Sequence, residues 1–126
     1  RKMKELKNKD DIIDIVNLFY IEIRENDILS PFFDSFIEDW GLHLRKMYDF
    51  WSTIIINDET YTGNPVKAHF ELNKEKPLKK EHFDLWLELF EKTIDKKYFG
   101  EKAEKMKTRA KVMAKVMFSK IEGVTI

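Results

Sequence analysis

The imidazoles of this 126-residue chain are His43, His69 and His82, and it has no cysteine. The missing thiols exclude disulfides, zinc–thiolate sites, iron–sulfur clusters and cysteine nucleophiles together. The sequence contains no GxxxxGK[ST] or GxGxxG phosphate loop, no HExxH and no GxSxG, and four glycines leave little from which to build an anion cradle. The Glu-x-x-His spacing of di-iron helical bundles is absent as well. No matching carboxylate spacing joins the three histidines into a mononuclear zinc or non-haem iron site.

A large apolar cofactor that supplies most of its own metal ligands needs only one from the protein, and haem is such a cofactor. Ten Phe, three Trp and five Met would suit its walls, though the same residues equally suit an ordinary core. Each histidine has a plain alternative. His43 sits within an apolar helical stripe, one turn after Trp40 and one turn before Met47, where a satisfied core imidazole is common. His69 follows a proline turn beside Val66 and Phe70. His82, among Lys80, Glu81 and Asp84, reads as solvent-exposed.

The elements that carry these residues are helical throughout; no stretch alternates as a strand does. Asp10 or Asp11 is positioned to cap a first helix, whose Ile12, Val16, Phe19, Tyr20 and Ile23 share one side. Ser30-Pro31 reads as the start of a short aromatic helix, a capping hydroxyl followed by proline in the first turn. A long helix from about Glu38 to Ile56 carries Trp40, His43, Leu44, Met47, Phe50, Trp51, Ile54 and Ile55 on a wide stripe. Thr62-Gly63-Asn64-Pro65 is a turn, and Pro65 opens a helical segment with Val66, His69 and Phe70 on one side. After a lysine-rich loop, a helix from about Lys80 to Lys96 buries Phe83, Trp86, Leu87, Phe90 and Ile94. Gly100 separates it from a last helix, about Glu101 to Ile121, with Ala103, Met106, Ala110, Met113, Met117 and Ile121 at helical spacing. The fold class expected is all-α, in one domain.

Lys+Arg and Asp+Glu each number 23, so the formal net charge is zero. The first half is acid-rich and the second base-rich, and the bases of the last helix are mixed with acids in the manner of a solvated face. Nucleic acid is not an expected partner, and neither is a membrane, since the apolar runs are far shorter than a span. No secretory signal is apparent, and a soluble, cytoplasmic protein is the default expectation.

Five segments carry a resemblance. Asp39-Trp40-Gly41-Leu42-His43-Leu44-Arg45-Lys46-Met47-Tyr48-Asp49-Phe50-Trp51 is similar to the distal helix of group III truncated haemoglobins. Asn17-Leu18-Phe19-Tyr20 with Ile23-Arg24 resembles that family's second helix. Leu29-Ser30-Pro31-Phe32-Phe33 resembles its Gly-Pro-x-Phe corner, with Ser30 where glycine is more usual. The run Tyr61-Thr62-Gly63-Asn64-Pro65-Val66-Lys67-Ala68-His69 resembles the approach to its proximal histidine, and His82-Phe83-Asp84-Leu85-Trp86-Leu87-Glu88-Leu89-Phe90 its next helix. The segments follow the family's order and separations from about residue 10 to 118, and the lack of a Gly-Gly pair fits group III.

The resemblance implies a truncated-globin two-over-two helical sandwich over residues 10–126 enclosing haem b, with residues 1–9 as an N-terminal extension that matches nothing. It makes His69 the proximal iron ligand and places Tyr20, His43 and Trp86 on the distal side. Phe33, Phe36, Met47, Phe50, Trp51 and Tyr61 would wall the porphyrin, with Val66 and Phe70 beside His69. Arg45, Lys46 or Lys67 would meet the propionates. The implied function is reversible binding of dioxygen or another diatomic ligand. The alternatives are a haem redox enzyme (nitric oxide dioxygenase or peroxidase-like) served by an unidentified reductase, and a cofactor-free helical interaction module. The expected state is a monomer or weak dimer.

Overall fold

A computed structural model describes residues 2–56 and 78–121, without the side chains of Phe36, Ser119, Lys120 and Ile121. Five helices and two very short strands occupy those residues. They are β1 (Lys4–Glu5), α1 (Lys9–Glu25), α2 (Ser30–Phe36), α3 (Trp40–Ile56), α4 (Lys80–Asp95), β2 (Tyr98–Phe99) and α5 (Glu101–Ile121). Helix α1 packs on α3 and α4 on α5; across these pairs α1 meets α4 and α3 meets α5. This is the two-over-two arrangement, with α2 set against α1. No helix among the described residues is long and apolar enough to cross a membrane.

The helix starts differ from the sequence reading in instructive ways. The cap of α1 is Asn8 rather than Asp10 or Asp11: its side chain accepts from the Asp11 N–H at 3.1 Å. Asp11 reciprocates as the third residue of the helix, its Oδ2 accepting from the backbone N–H groups of Asn8 (3.3 Å) and Lys7 (2.9 Å). At α2 the Ser30 hydroxyl is not the cap. The Asn26 side chain instead shapes the preceding turn, accepting from the N–H groups of Ile28 and Leu29, both at 3.0 Å, and α2 starts from Leu29 without a side-chain cap. Asp39 caps α3 through the Leu42 N–H at 3.1 Å, so that helix begins at Trp40 and not at Glu38.

Strands were not expected, and two residues each are too few to show an alternating pattern. β1 lies parallel to β2, Lys4 opposite Tyr98 and Glu5 opposite Phe99. Of residues 1–9, read from the sequence as an extension, Lys4–Leu6 is thus tied into the fold, and Leu6 is buried. Asp14 pins the same region from α1: its Oδ2 accepts from Lys97 Nζ at 2.7 Å and from the Tyr98 hydroxyl at 2.6 Å. Gly100 follows β2 with φ +106°, a region that side chains with a Cβ rarely adopt, and a Cβ there would stand 2.9 Å from Glu5 Cγ.

The core is one apolar cluster. From α1 it takes Ile12, Ile15, Val16, Phe19 and Ile23, all near-completely buried, and from α4 Phe90 and Ile94. On α5 the small Ala103, Ala110 and Ala114, with Met106 and Met117, form the buried stripe. Phe90 is the hub of an aromatic stack, its ring 5.4 Å from Trp86 at 6° and 5.0 Å from Trp51 at 26°.

Candidate functional site

Tyr20, near the end of α1, is buried, with only its hydroxyl to satisfy. Aromatic edges surround it: Phe19 at 5.1 Å on its own helix, Phe33 of α2 at 6.2 Å, and Trp40 and His43 of α3 at 5.8 and 5.2 Å. The hydroxyl meets His43 Nε2 at 3.1 Å. Burial pushes the Tyr20 phenol well above its ordinary pKa, so it is protonated at any physiological pH. His43 is half-buried, and Trp40 packs edge-on against it at 5.9 Å. The Arg24 guanidinium lies over the Trp40 ring, 4.5 Å from its centroid. The i to i+3 spacing of Trp40 and His43 thus makes one turn of α3 a roof over Tyr20.

Trp86 belongs to the same neighbourhood one ring removed. Phe19 stands between it and Tyr20, edge-on to Trp86 at 5.5 Å. Trp86 and Phe33 also line a cleft that runs between α2, the start of α4, and α5. Leu29, Leu78, His82, Phe83, Ala114 and Met117 complete its lining, and the walls stand close together, with space for about one water between them. Its walls are apolar except at His82. The sequence reading took Phe83 and Met117 as core and His82 as solvent-exposed. The imidazole is in fact half-buried, its ring 4.6 Å from that of Phe32. The signal was present, since His82 stands one helical turn before Trp86 and shares its face.

Not every expected wall residue lines this cleft. Phe50 and Trp51 are buried in the core, where Trp51 stacks on Phe90, and they do not line this cleft. Met47 is half-buried against the same core. Arg45 and Lys46 are exposed on α3, also away from the cleft lining. Tyr61, Val66, Lys67, His69 and Phe70 lie outside the described residues, as does the Phe36 side chain.

Among the described residues no group of three or more His, Asp or Glu side chains is placed to hold a metal ion. The donor set instead suits a large apolar group that carries its own metal. It consists of an apolar cleft and, joined to it through Phe33, a buried phenol paired with a half-buried imidazole. The chemistry of this lining suits a haem, for which its walls must part.

No family model matches the chain. It is 31% identical over 114 residues to the group 3 truncated hemoglobin ctb of Campylobacter jejuni, covering 87% of each chain. Among solved structures it is similar to the crystal structure of group III truncated hemoglobin from Campylobacter jejuni, with a TM-score of 0.85, 28% identity and 94% of each chain covered.

Proposed function

This chain belongs to the group III truncated haemoglobins, and from that premise we propose that it binds haem b and takes up dioxygen or another diatomic ligand reversibly. His69 would hold the iron through Nε2, with Tyr20, His43 and Trp86 on the opposite side and Phe33 and Trp86 against the porphyrin. Tyr61, Val66, Phe70 and Phe36 are proposed as the remaining near neighbours. Haem, held by these residues, would supply an iron that binds a diatomic ligand. The observation that carries the reading is the part-buried contact of 3.1 Å between Tyr20 Oη and His43 Nε2, joined to an apolar cleft.

That contact has two states. With the proton on Nε2, His43 donates to the phenol oxygen, and the Tyr20 O–H is available to a ligand. With Nε2 unprotonated, Tyr20 donates to His43 and its own proton is withdrawn from the pocket. The imidazole tautomer therefore sets whether the phenol is a donor at the site. The Trp86 indole, which has only a donor to offer, is a second source of stabilisation for a ligand that gains negative charge. Trp40 packs edge-on against both rings and helps to hold the pair in place.

The test is uptake and retention of haemin by the apoprotein, followed by absorption. His69→Ala is expected to abolish or severely weaken retention. Unchanged affinity would mean that another residue is the ligand. A second reading, redox turnover of nitric oxide or peroxide with electrons from a reductase, is favoured by the same donors, because strong hydrogen bonds slow ligand release. Fast release with little reductant-driven turnover would exclude it.

A further inference from the structure

His82 is the polar side chain in the cleft lining, and neither the fold nor the distal donors account for its outer nitrogen. Nδ1 accepts the Lys79 backbone N–H at 2.9 Å, at the entry to α4. In the neutral ring this fixes the proton on Nε2. Among the described residues Nε2 has no hydrogen-bond partner. The ring is held on one side by Phe32, at 4.6 Å, and faces a cleft shared with Phe33, Phe83, Trp86 and Met117. A donor fixed at an apolar wall is satisfied only by water or by an acceptor that the occupant of the cleft brings with it.

Of the cations expected from sequence to hold haem carboxylates, Arg45 and Lys46 are exposed on α3 and not in this lining, and Lys67 lies outside the described residues. Lys80, at the mouth of α4, is occupied by Asp84 at 2.8 Å. Haem is apolar around most of its edge and carries hydrogen-bond acceptors there only on its propionates. We propose that His82 is a haem-anchoring residue, its Nε2–H donating to a propionate while Nδ1 is held by the Lys79 N–H. The inference rests on the haem reading above and adds a binding role for a residue outside the distal and proximal sets.

The experiment is haem loss to an excess of a haem-scavenging apoglobin, read by absorption. It compares wild type, His82→Phe and His82→Gln, each loaded with haemin or with haemin dimethyl ester, whose carboxylates are masked. Haemin is expected to leave His82→Phe about tenfold faster than wild type, a charge-assisted hydrogen bond lost. His82→Gln, which keeps an N–H donor, should fall between them. The dimethyl ester, whose neutral carbonyls accept more weakly than a carboxylate, should separate the three far less than haemin does. Equal acceleration for haemin and its ester would overturn the proposal, since the ring would then act by packing or by capping α4. So would haemin loss that is unchanged in His82→Phe. If wild type takes up neither form, it is the haem reading itself that is overturned.

Discussion

Tyr20 receives contacts from α1, α2 and α3, so its ring is fixed by packing and its hydroxyl alone is left for chemistry. Tyr20→Phe removes that hydroxyl and keeps every ring contact. The expected result is dioxygen release faster by about tenfold, roughly the worth of one such hydrogen bond, with the melting temperature little changed. An unaltered off-rate in stopped-flow displacement would remove Tyr20 from the ligand-binding set. Tyr20, His43 and Trp86 were legible in the sequence as types on apolar faces and, through the resemblance, as one group. Their arrangement was not. That Phe19 intervenes between Tyr20 and Trp86, and that Trp40 and Arg24 roof the pair, depends on crossing angles between helices that no periodicity specifies. His82 was misread because its immediate neighbours are charged, and the charge of neighbours says less about a helical residue than the residue one turn away.

At the scale of elements, the stripes on α1, α3, α4 and α5 follow from apolar spacing, and the sequence located those helices to within a few residues. Their starts were harder, because Asn8 and Asp39 cap through local geometry that Asp10 and Asp11 mimic in sequence, and α2 starts without the side-chain cap that Ser30 suggests. Asp11 and Asp14 carry a testable consequence. Burial pushes both carboxyls up, but the opposing contacts win and both sit below the ordinary aspartate value. For Asp11 these are Lys4 and the N–H groups of Lys7 and Asn8; for Asp14 they are Lys97 and Tyr98. Groups lowered on folding stabilise the protein above the ordinary carboxylate range and cease to do so as pH falls through it. Thermal stability should therefore hold from pH 7 to about 5 and fall below about pH 4. Asp14→Asn should melt lower than wild type at pH 7 and approach it in acid. A gap that stays constant down to acid pH would contradict this linkage. Gly100→Ala, which forces a Cβ into a left-handed position against Glu5, should destabilise by about 2 kcal/mol, measured by denaturant unfolding. No loss would mean the β1–β2 strap is not a fixed part of the fold.

For the molecule as a whole, two helix pairs crossed over a shared aromatic core leave an apolar cleft bounded by α2, α4 and α5. Sequence alone predicted the class of this architecture, and similarity over 94% of a group III truncated haemoglobin structure supports it. It did not predict the cleft lining, which joins Leu29 to Ala114 and Met117 across most of the chain. The central claim is that this architecture holds haem. The most direct measurement is the absorption spectrum of the purified protein as isolated, after dithionite, and after carbon monoxide. A haem Soret band that moves on reduction and moves again on carbon monoxide is expected. A protein with no such band, even after haemin is added back, would contradict it and return the aromatic stripes to an ordinary core.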